Sequence, residues 1–357
     1  MLVDDSAVLR GALARILESD PLIKIVASAS NGEMAIKAAE TKHPHIVVLD
    51  IEMPVMDGLT ALPKILQASP KSKVIMFSSL TEKGATVSLK AFALGAVECI
   101  VKPSSGQSVA EGSDFQKNMI ALFKNLTPDH VRIAPESSEI PSKISAAPAP
   151  KAATIFTLRS DPAAYKGKPA IVAIGSSTGG PNALFSVLTH FKNFDVPIVI
   201  TQHMPATFTK ILADHIQQKT GVEAHEGADG MAVEKGKIYV APGGFHMEIV
   251  RQDAGLRVRL NNGPPENFCK PSVDPMFRSV IDLFGNKVLG LILTGMGNDG
   301  IGGGKILIEK GGRMIAQDEA TSVVWGMPGA VAKAGLCSAV LPLEEIGPWM
   351  RKAVMGF

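Results

Sequence analysis

The sequence predicts an α/β protein in two units. A doubly wound (βα)5 unit at the N-terminus is joined by a linker to a parallel-sheet α/β unit with a short antiparallel excursion. Three observations predict this. Short apolar runs, of the kind doubly covered parallel strands need, alternate with helix-period segments in both halves of the chain. The middle, including APESSEIPSKISAAPAPKAAT, is rich in Pro, Ser and Ala and has no sustained hydrophobic period. It therefore buries little and reads as an extended linker. A length of 357 residues suits two domains, and 46% hydrophobic against 20% charged residues supplies two cores and excludes a disordered chain. The units are expected at 1–123 and 168–357, with the linker at 124–167.

Ser6 is placed to cap a helix whose face is Leu9, Leu13, Ile16 and Leu17. IKIVASA then reads as a strand, Asn31-Gly32 as a turn and 33–42 as a helix. HIVVLD at 45–50 and KVIMFSS at 73–79 are buried parallel strands, a helix runs through Leu94 to a stop at Gly95, and VECIVK at 97–102 is the fifth strand. Only Met1, Leu2 and Val3 precede Asp4-Asp5, so the first strand is expected to be short and to hold its acids loosely. In the second unit PAIVAIG at 169–175, VPIVITQH at 196–203 and KVLGLILTG at 287–295 are expected parallel strands. Segment 221–260, with strand-like pieces around Tyr239, at 245–250 and in GLRVRL, is expected to be the antiparallel excursion. Helices are expected at 181–191, 205–219, 272–284 and 299–310, the third with an apolar stripe of Val273, Phe277, Val280, Ile281 and Phe284.

A net charge of +2 gives no whole-chain argument for nucleic acid or acidic lipid as partner. Cys99, Cys269 and Cys337 lie far apart with no metal-binding spacing, as in a reducing cytosol. No apolar run reaches the ~18 residues of a membrane span, and Asp4 and Asp5 fall where a signal peptide would begin. A soluble, cytoplasmic protein with no membrane insertion is expected.

Asp4 and Asp5 follow the first strand and Asp50 ends the third. Ligands of open α/β sheets bind beyond the carboxyl ends of strands, so neighbouring first and third strands would crowd three carboxylates there. Such a group calls for a hard cation such as Mg²⁺. Lys102, followed by Pro103, and Ser78 end strands on the same rim. Acids, cation, hydroxyl and lysine together suit phosphoryl transfer to a carboxylate, although Asp at strand ends and Lys-Pro in turns also occur without chemistry. LVDDSAVLR, VVLDIEMPVMDGLTAL, VIMFSS and VKPS resemble the signature of two-component receiver domains. The resemblance implies that Asp50 accepts a phosphoryl group from a histidine kinase. It further implies that Asp4, Asp5 and Asp50 hold Mg²⁺ and that Ser78 and Lys102 sense the phosphate.

In the second unit a strand runs into Gly175-Ser176-Ser177-Thr178-Gly179-Gly180, with Pro181 suited to a helix's first turn. The loop reads either as an anion cradle or as a G-x-S-x-G elbow exposing Ser177. A serine nucleophile needs a base, and His203 ends the strand VPIVITQH on the same rim. His190 and His215 fall within helices, His225 offers little, and His246 near Gly243-Gly244 is a weaker candidate for contact with substrate. Asp299, in LTGMGNDGIGG, is placed either to cap the next helix or to orient His203 with Nε2 facing Ser177. The N–H of Met296, among glycines, is a candidate oxyanion donor.

GSSTGG, TQHMP, YVAPGGFHM and LTGMGNDGIGG resemble the catalytic domain of bacterial chemotaxis protein-glutamate methylesterases, which are also protein-glutamine glutaminases. The resemblance implies Ser177 as nucleophile, His203 as base, Asp299 as its orienting acid and Met296 as oxyanion donor, with no cofactor for ester hydrolysis. Ser176 stands where alanine is common in that family. Receiver, linker and esterase in this order imply phosphorylation-controlled hydrolysis of glutamyl methyl esters, and deamidation of glutamines, on methyl-accepting chemotaxis receptors. The chemotaxis histidine kinase would be the phosphoryl donor, and the protein would be recruited to membrane receptor arrays. A receiver-controlled esterase for another protein, and a non-enzymatic adaptor, are the alternatives; a DNA-binding output would need a short basic helical unit instead.

Overall fold

The computed structural model describes residues 1–79, 81–103, 112–127, 156–160, 167–253 and 255–356. Its first sheet contains β1 (Leu2–Val3), β2 (Ser28–Ala29), β3 (Ile46–Asp50), β4 (Lys73–Ser78) and β5 (Glu98–Val101), all parallel, in the order β2-β1-β3-β4-β5. Its helices are α1 (Ala7–Glu18), α2 (Gly32–Lys42), α3 (Gly58–Ala68), α4 (Glu82–Ala93) and α5 (Asp114–Leu126). Local chemistry starts several of them. Ser6, Asn31, Asp57 and Thr81 each accept a backbone N–H of the first turn through the side chain. Asn31-Gly32 is therefore a helix start rather than a free turn.

Two expectations change here. The second strand shrinks from seven residues to Ser28–Ala29, because β1 offers only Leu2 and Val3 as partners. Residues 23–29 still alternate in exposure as a strand would, but only Ser28 and Ala29 pair in register with β1. The short β1 is nonetheless firmly held. Leu2 and Val3 are buried, pair with both neighbours, and the Met1 amino group donates to Ile46 O at 2.8 Å.

The second sheet comprises β6 (Ile171–Ser176), β7 (Ile198–Gln202), β8 (Ala224–Glu226), β9 (Ile238–Val240), β12 (Val288–Ile292), β13 (Arg313–Gln317) and β14 (Ala339–Leu341), in the order β14-β13-β12-β6-β7-β9-β8. All its pairings are parallel, including those of β8 and β9. Among the described residues the antiparallel strands are the hairpin β10 (His246–Gln252) and β11 (Gly255–Asn261), which Ala232 joins by an isolated bridge to Arg257, and the strand around Tyr239 belongs to the main sheet. The helices are α6 (Gly180–Leu188), α7 (Ala206–Thr220), α8 (Val273–Phe284), α9 (Ile301–Glu309), α10 (Met327–Lys333) and α11 (Leu343–Met355). In α8, Val273, Phe277, Val280 and Ile281 of the expected stripe are buried, and Phe284 is half-buried.

The expected linker, 124–167, falls largely outside the described residues. Its first residues continue α5, which runs to a buried Leu126. At 156–160 the chain lies on the second unit: the Phe156 ring meets Trp325 at 6.0 Å and the Arg159 N–H donates to Cys337 O at 2.9 Å.

In each sheet the first strand sends later strands to opposite sides, leaving a crevice at the carboxyl ends of β1/β3 and of β6/β12. The crevice of the second unit is covered by the first. Helix α4 packs on α7 and α6, with Leu89 and Phe92 in one continuous buried cluster with Leu184 and Leu212. Leu291, the fourth residue of β12, is fully buried between β6 and β13. Leu291→Ala should destabilise the second unit by about 2–5 kcal/mol in urea unfolding followed by circular dichroism.

Candidate active site

Two constellations form at the two crevices. In the first, Asp4 and Asp50 are buried at the ends of β1 and β3, and Asp5 is exposed beside them. One oxygen from each of the three lies within 4.8 Å of the others. An all-carboxylate oxygen set of this kind fits a hard divalent cation such as Mg²⁺. Lys102 Nζ lies 3.0 Å from Asp4 Oδ2 and 2.7 Å from Asp50 Oδ2. Burial pushes the Asp50 carboxyl up to about 6; Lys102 opposes that shift and the Asp4 charge adds to it. Ser78 is buried at the end of β4 and lines a small cleft with Asp50, Lys102 and Gly84. All five residues expected on this rim therefore meet at one place.

In the second constellation, Ser176 pairs with Gln202 in the β6–β7 register, so Ser177 and His203 follow as the next residues past the paired strands. The Ser177 N–H donates to Thr294 O at 3.0 Å, which draws in the end of β12. Gly295 permits this approach: a Cβ there would stand 2.8 Å from Ser177 Cβ. Gly179, at φ 77°, turns the chain into α6 and places Pro181 in its first turn. Ser176, the residue unusual for the resembled family, donates its hydroxyl to Gln202 Oε1 at 2.7 Å. Gln202 Nε2 in turn donates to Ser177 O at 2.9 Å, so Ser176 braces the nucleophile loop from beneath.

The Asp299 carboxylate is buried and accepts five hydrogen bonds: from His203 Nε2 at 2.8 Å, Val273 N at 2.7 Å, Asn267 Nδ2 at 2.8 Å, Ser272 Oγ at 2.9 Å and Asp274 N at 3.3 Å. It caps a helix, but that helix is α8, not the α9 that follows it in sequence. Burial alone would raise its pKa, yet His203 and the α8 donors hold it below the usual carboxylate range. It is therefore ionised, and Nε2 must carry the proton it donates. This reverses the expected ring orientation: Nε2 faces Asp299, and Nδ1 is turned away from it. Nδ1 meets Cys269 Sγ at 3.4 Å. Burial disfavours the imidazolium, but hydrogen bonds to Asp299 and Cys269 outweigh it and bring the His203 pKa to about 9.

Met296 follows Gly295, and among the described residues its N–H has no internal acceptor. Its side chain packs with the apolar cluster of the first unit that holds Phe77, Ile100 and Phe115. On the same side the Gly179 N–H donates to Val97 O at 3.1 Å, and the buried Thr178 hydroxyl bonds the Glu98 carboxyl. Burial raises the Glu98 pKa against those bonds and the pull of His203. His246 is not a substrate contact: it is buried, its Nε2 lies 2.9 Å from Pro264 O, and its Nδ1 accepts the Ser272 N–H at 3.1 Å. Asn267, Cys269 and Glu98 had no sequence signal, since each acts through a partner distant in the chain. Ser272 stood in a recognisable place, just before the apolar stripe of α8, and Gln202 within TQHMP.

An acid pocket at the switch point of a (βα)5 sheet, together with a second sheet whose rim bonds Asp299 to His203 and carries Ser177 on the adjoining strand end, defines a class: a receiver unit coupled to a serine-hydrolase-like site. Residues 172–350 match the family model for CheB methylesterase and residues 1–111 that for the response regulator receiver domain. The chain belongs to the CheB methylesterase family. It is 51% identical to protein-glutamate methylesterase/protein-glutamine glutaminase 1 of Paramagnetospirillum magneticum, covering 99% of this chain and 95% of that protein. It is 50% identical to the protein-glutamate methylesterase/protein-glutamine glutaminase of Azospirillum brasilense, covering 99% and 91%. The crystal structure of the Thermotoga maritima CheB methylesterase catalytic domain is 38% identical, with a TM-score of 0.50, and covers 52% of this chain and 98% of that one. No helix among the described residues is long and apolar enough to cross a membrane.

Diethyl pyrocarbonate attacks only neutral imidazole. At pH 7 wild-type His203, with its pKa near 9, should therefore resist it. Asp299→Asn should make His203 reactive, as read by peptide mapping across the pH range.

Proposed function

We propose that this protein hydrolyses γ-glutamyl methyl esters on chemotaxis receptors, and deamidates selected receptor glutamines, under control of phosphorylation at Asp50. The observation that carries the reading is the line from Asp299 through His203 to the strand end that bears Ser177. Ser177 Oγ attacks the ester carbonyl carbon while its proton passes to His203 Nδ1. Asp299 keeps the opposite ring nitrogen protonated and stabilises the imidazolium that forms. The Met296 N–H donates to the carbonyl oxygen as it becomes an oxyanion. Collapse breaks the bond to the methoxy group, which leaves as methanol with the proton from His203. Water, deprotonated by His203, then releases the glutamate carboxylate; a glutamine loses ammonia in the first step instead.

Mg²⁺ in the receiver would be held by Asp4, Asp5 and Asp50, where it screens their repulsion and neutralises a phosphoryl group. Ser78 and Lys102 lie within reach of that group. The contacts of Val97 and Glu98 with Gly179 and Thr178, two and one residues from Ser177, support a receiver that restrains the nucleophile loop until it is modified. The phosphoryl donor would be the chemotaxis histidine kinase, and receptor arrays at the membrane would be the working location. The reading is preferred to an adaptor function because a scaffold needs neither an ionised Asp299 nor its bond to His203.

Methanol release from methylated receptor fragments tests this. Ser177→Ala should lower the rate at least about a thousandfold, while Asp50→Asn should keep the unstimulated rate and lose the response to a phosphoryl donor; equal release by Ser177→Ala and wild type would sink the nucleophile assignment. The pH dependence has two expected signs. With His203 raised to about 9, a neutral base becomes more abundant as pH rises, so kcat/KM should climb from pH 7 toward 9. With Asp50 raised to about 6, Mg²⁺ binding measured by calorimetry should weaken as pH falls through that value, because protonation removes a ligand.

A further inference from the structure

The turn at Glu266–Cys269 sets local preference against geometry. Glu266 and Cys269 bridge as antiparallel partners, with backbone hydrogen bonds of 3.1 and 2.9 Å, and the two residues between them both take positive φ, 53° at Asn267 and 63° at Phe268. This is the geometry of a two-residue I′ hairpin turn, whose second position is ordinarily glycine. Asn tolerates the left-handed region; a bulky aromatic residue there is an outlier, and residues held in such strain cluster at functional sites. The ring also gains nothing from packing, since Phe268 is 104% exposed.

The turn beneath the ring cannot drift. Asn267 Nδ2 is bonded to Asp299 Oδ1 at 2.8 Å and to Asp274 Oδ2 at 2.9 Å. Cys269 Sγ meets His203 Nδ1 at 3.4 Å, and Arg278 Nη2 holds Glu266 Oε1 at 2.7 Å. The adjoining loop carries a second exposed phenyl, Phe245, and is tied to the turn by the Gly244 N–H donating to Lys270 O at 3.1 Å. Two apolar rings thus stand in water on neighbouring loops, one of them one residue from the partner of the catalytic histidine.

We infer that Phe268 is a specificity-determining contact for the substrate protein, docking on the apolar face of the helix that carries the glutamyl ester. This rests on the function proposed above. A small free ester would have no surface for such a ring. A helix bearing the ester presents apolar side chains three and four residues away, at the spacing a fixed ring beside the site can meet.

The test uses the full chain with a phosphoryl donor and two substrates: a methylated helical receptor fragment, and N-acetylglutamate γ-methyl ester as its amide. Phe268→Gly relaxes the turn while removing the ring, so it should be no less stable to heat than wild type. On the fragment its KM should rise about tenfold, the order expected for losing one partly buried phenyl contact, with kcat within about twofold. Hydrolysis of the small ester should be unchanged, and Phe268→Leu should recover most of the loss. An unchanged KM on the fragment overturns the inference, as does an equal loss on both substrates, which would reduce the turn to a support for His203 and Asp299. A wild-type enzyme that cleaves the small ester but not the fragment would overturn the functional reading, and the role of Phe268 with it.

Discussion

A carboxylate buried as deeply as that of Asp299 must be surrounded by donors, and the donors it takes determine the shape of the rim of the second sheet. Two come from the N-terminal backbone of α8, where the helix dipole favours negative charge. Two more, from Ser272 and Asn267, tie in the residues just before α8 and the hairpin turn beyond them. The fifth is His203 Nε2, from the end of β7. One charge therefore joins a strand end, a helix start and a loop from three separate stretches of chain. Removing it would leave His203 without its tautomer and α8 without its cap.

The same logic of strand ends places the acid pocket of the first unit. Both sheets open at their first strand, and both put their chemistry where the carboxyl ends of neighbouring strands diverge. The two crevices are not independent. Lys102 follows β5 and bridges Asp4 and Asp50, while Glu98, at the start of β5, reaches Thr178. A single strand of four residues thus runs from the receiver's acid pocket to the loop that holds Ser177. Change of charge at Asp50 acts directly on Lys102 at one end of that strand, and the covering contacts lie at the other.

Much of this was legible in the chain. Asp50, Ser78 and Lys102 each close an apolar run, Ser177 and His203 stand two and three residues past one, and a buried parallel strand announces its own end by its first polar residues. The side chains that support the site were not legible. Asn267 and Cys269 sit in a turn with no hydrophobic period, and their partners lie 32 and 66 residues away. The ring orientation of His203 was missed because it depends on which side Asp299 approaches, a consequence of its capping α8 rather than α9. The second strand was overread for a different reason: alternation at 23–29 is real, but a strand needs a partner and β1 supplies two residues. The region from β13 to α11 carried no element assignment at all, although its strands Arg313–Gln317 and Ala339–Leu341 complete one side of the sheet.

The claim on which all of this turns is that an ionised Asp299 fixes the proton of His203 on Nε2 and leaves Nδ1 to titrate. Nitrogen-15 NMR of histidine-labelled protein followed across pH 5 to 10 measures it directly. The expected result is an Nε2 that stays protonated throughout and an Nδ1 that loses its proton near pH 9, with both features lost in Asp299→Asn. A neutral form protonated on Nδ1, or a ring that titrates near the ordinary histidine value of about 6.5, would contradict it.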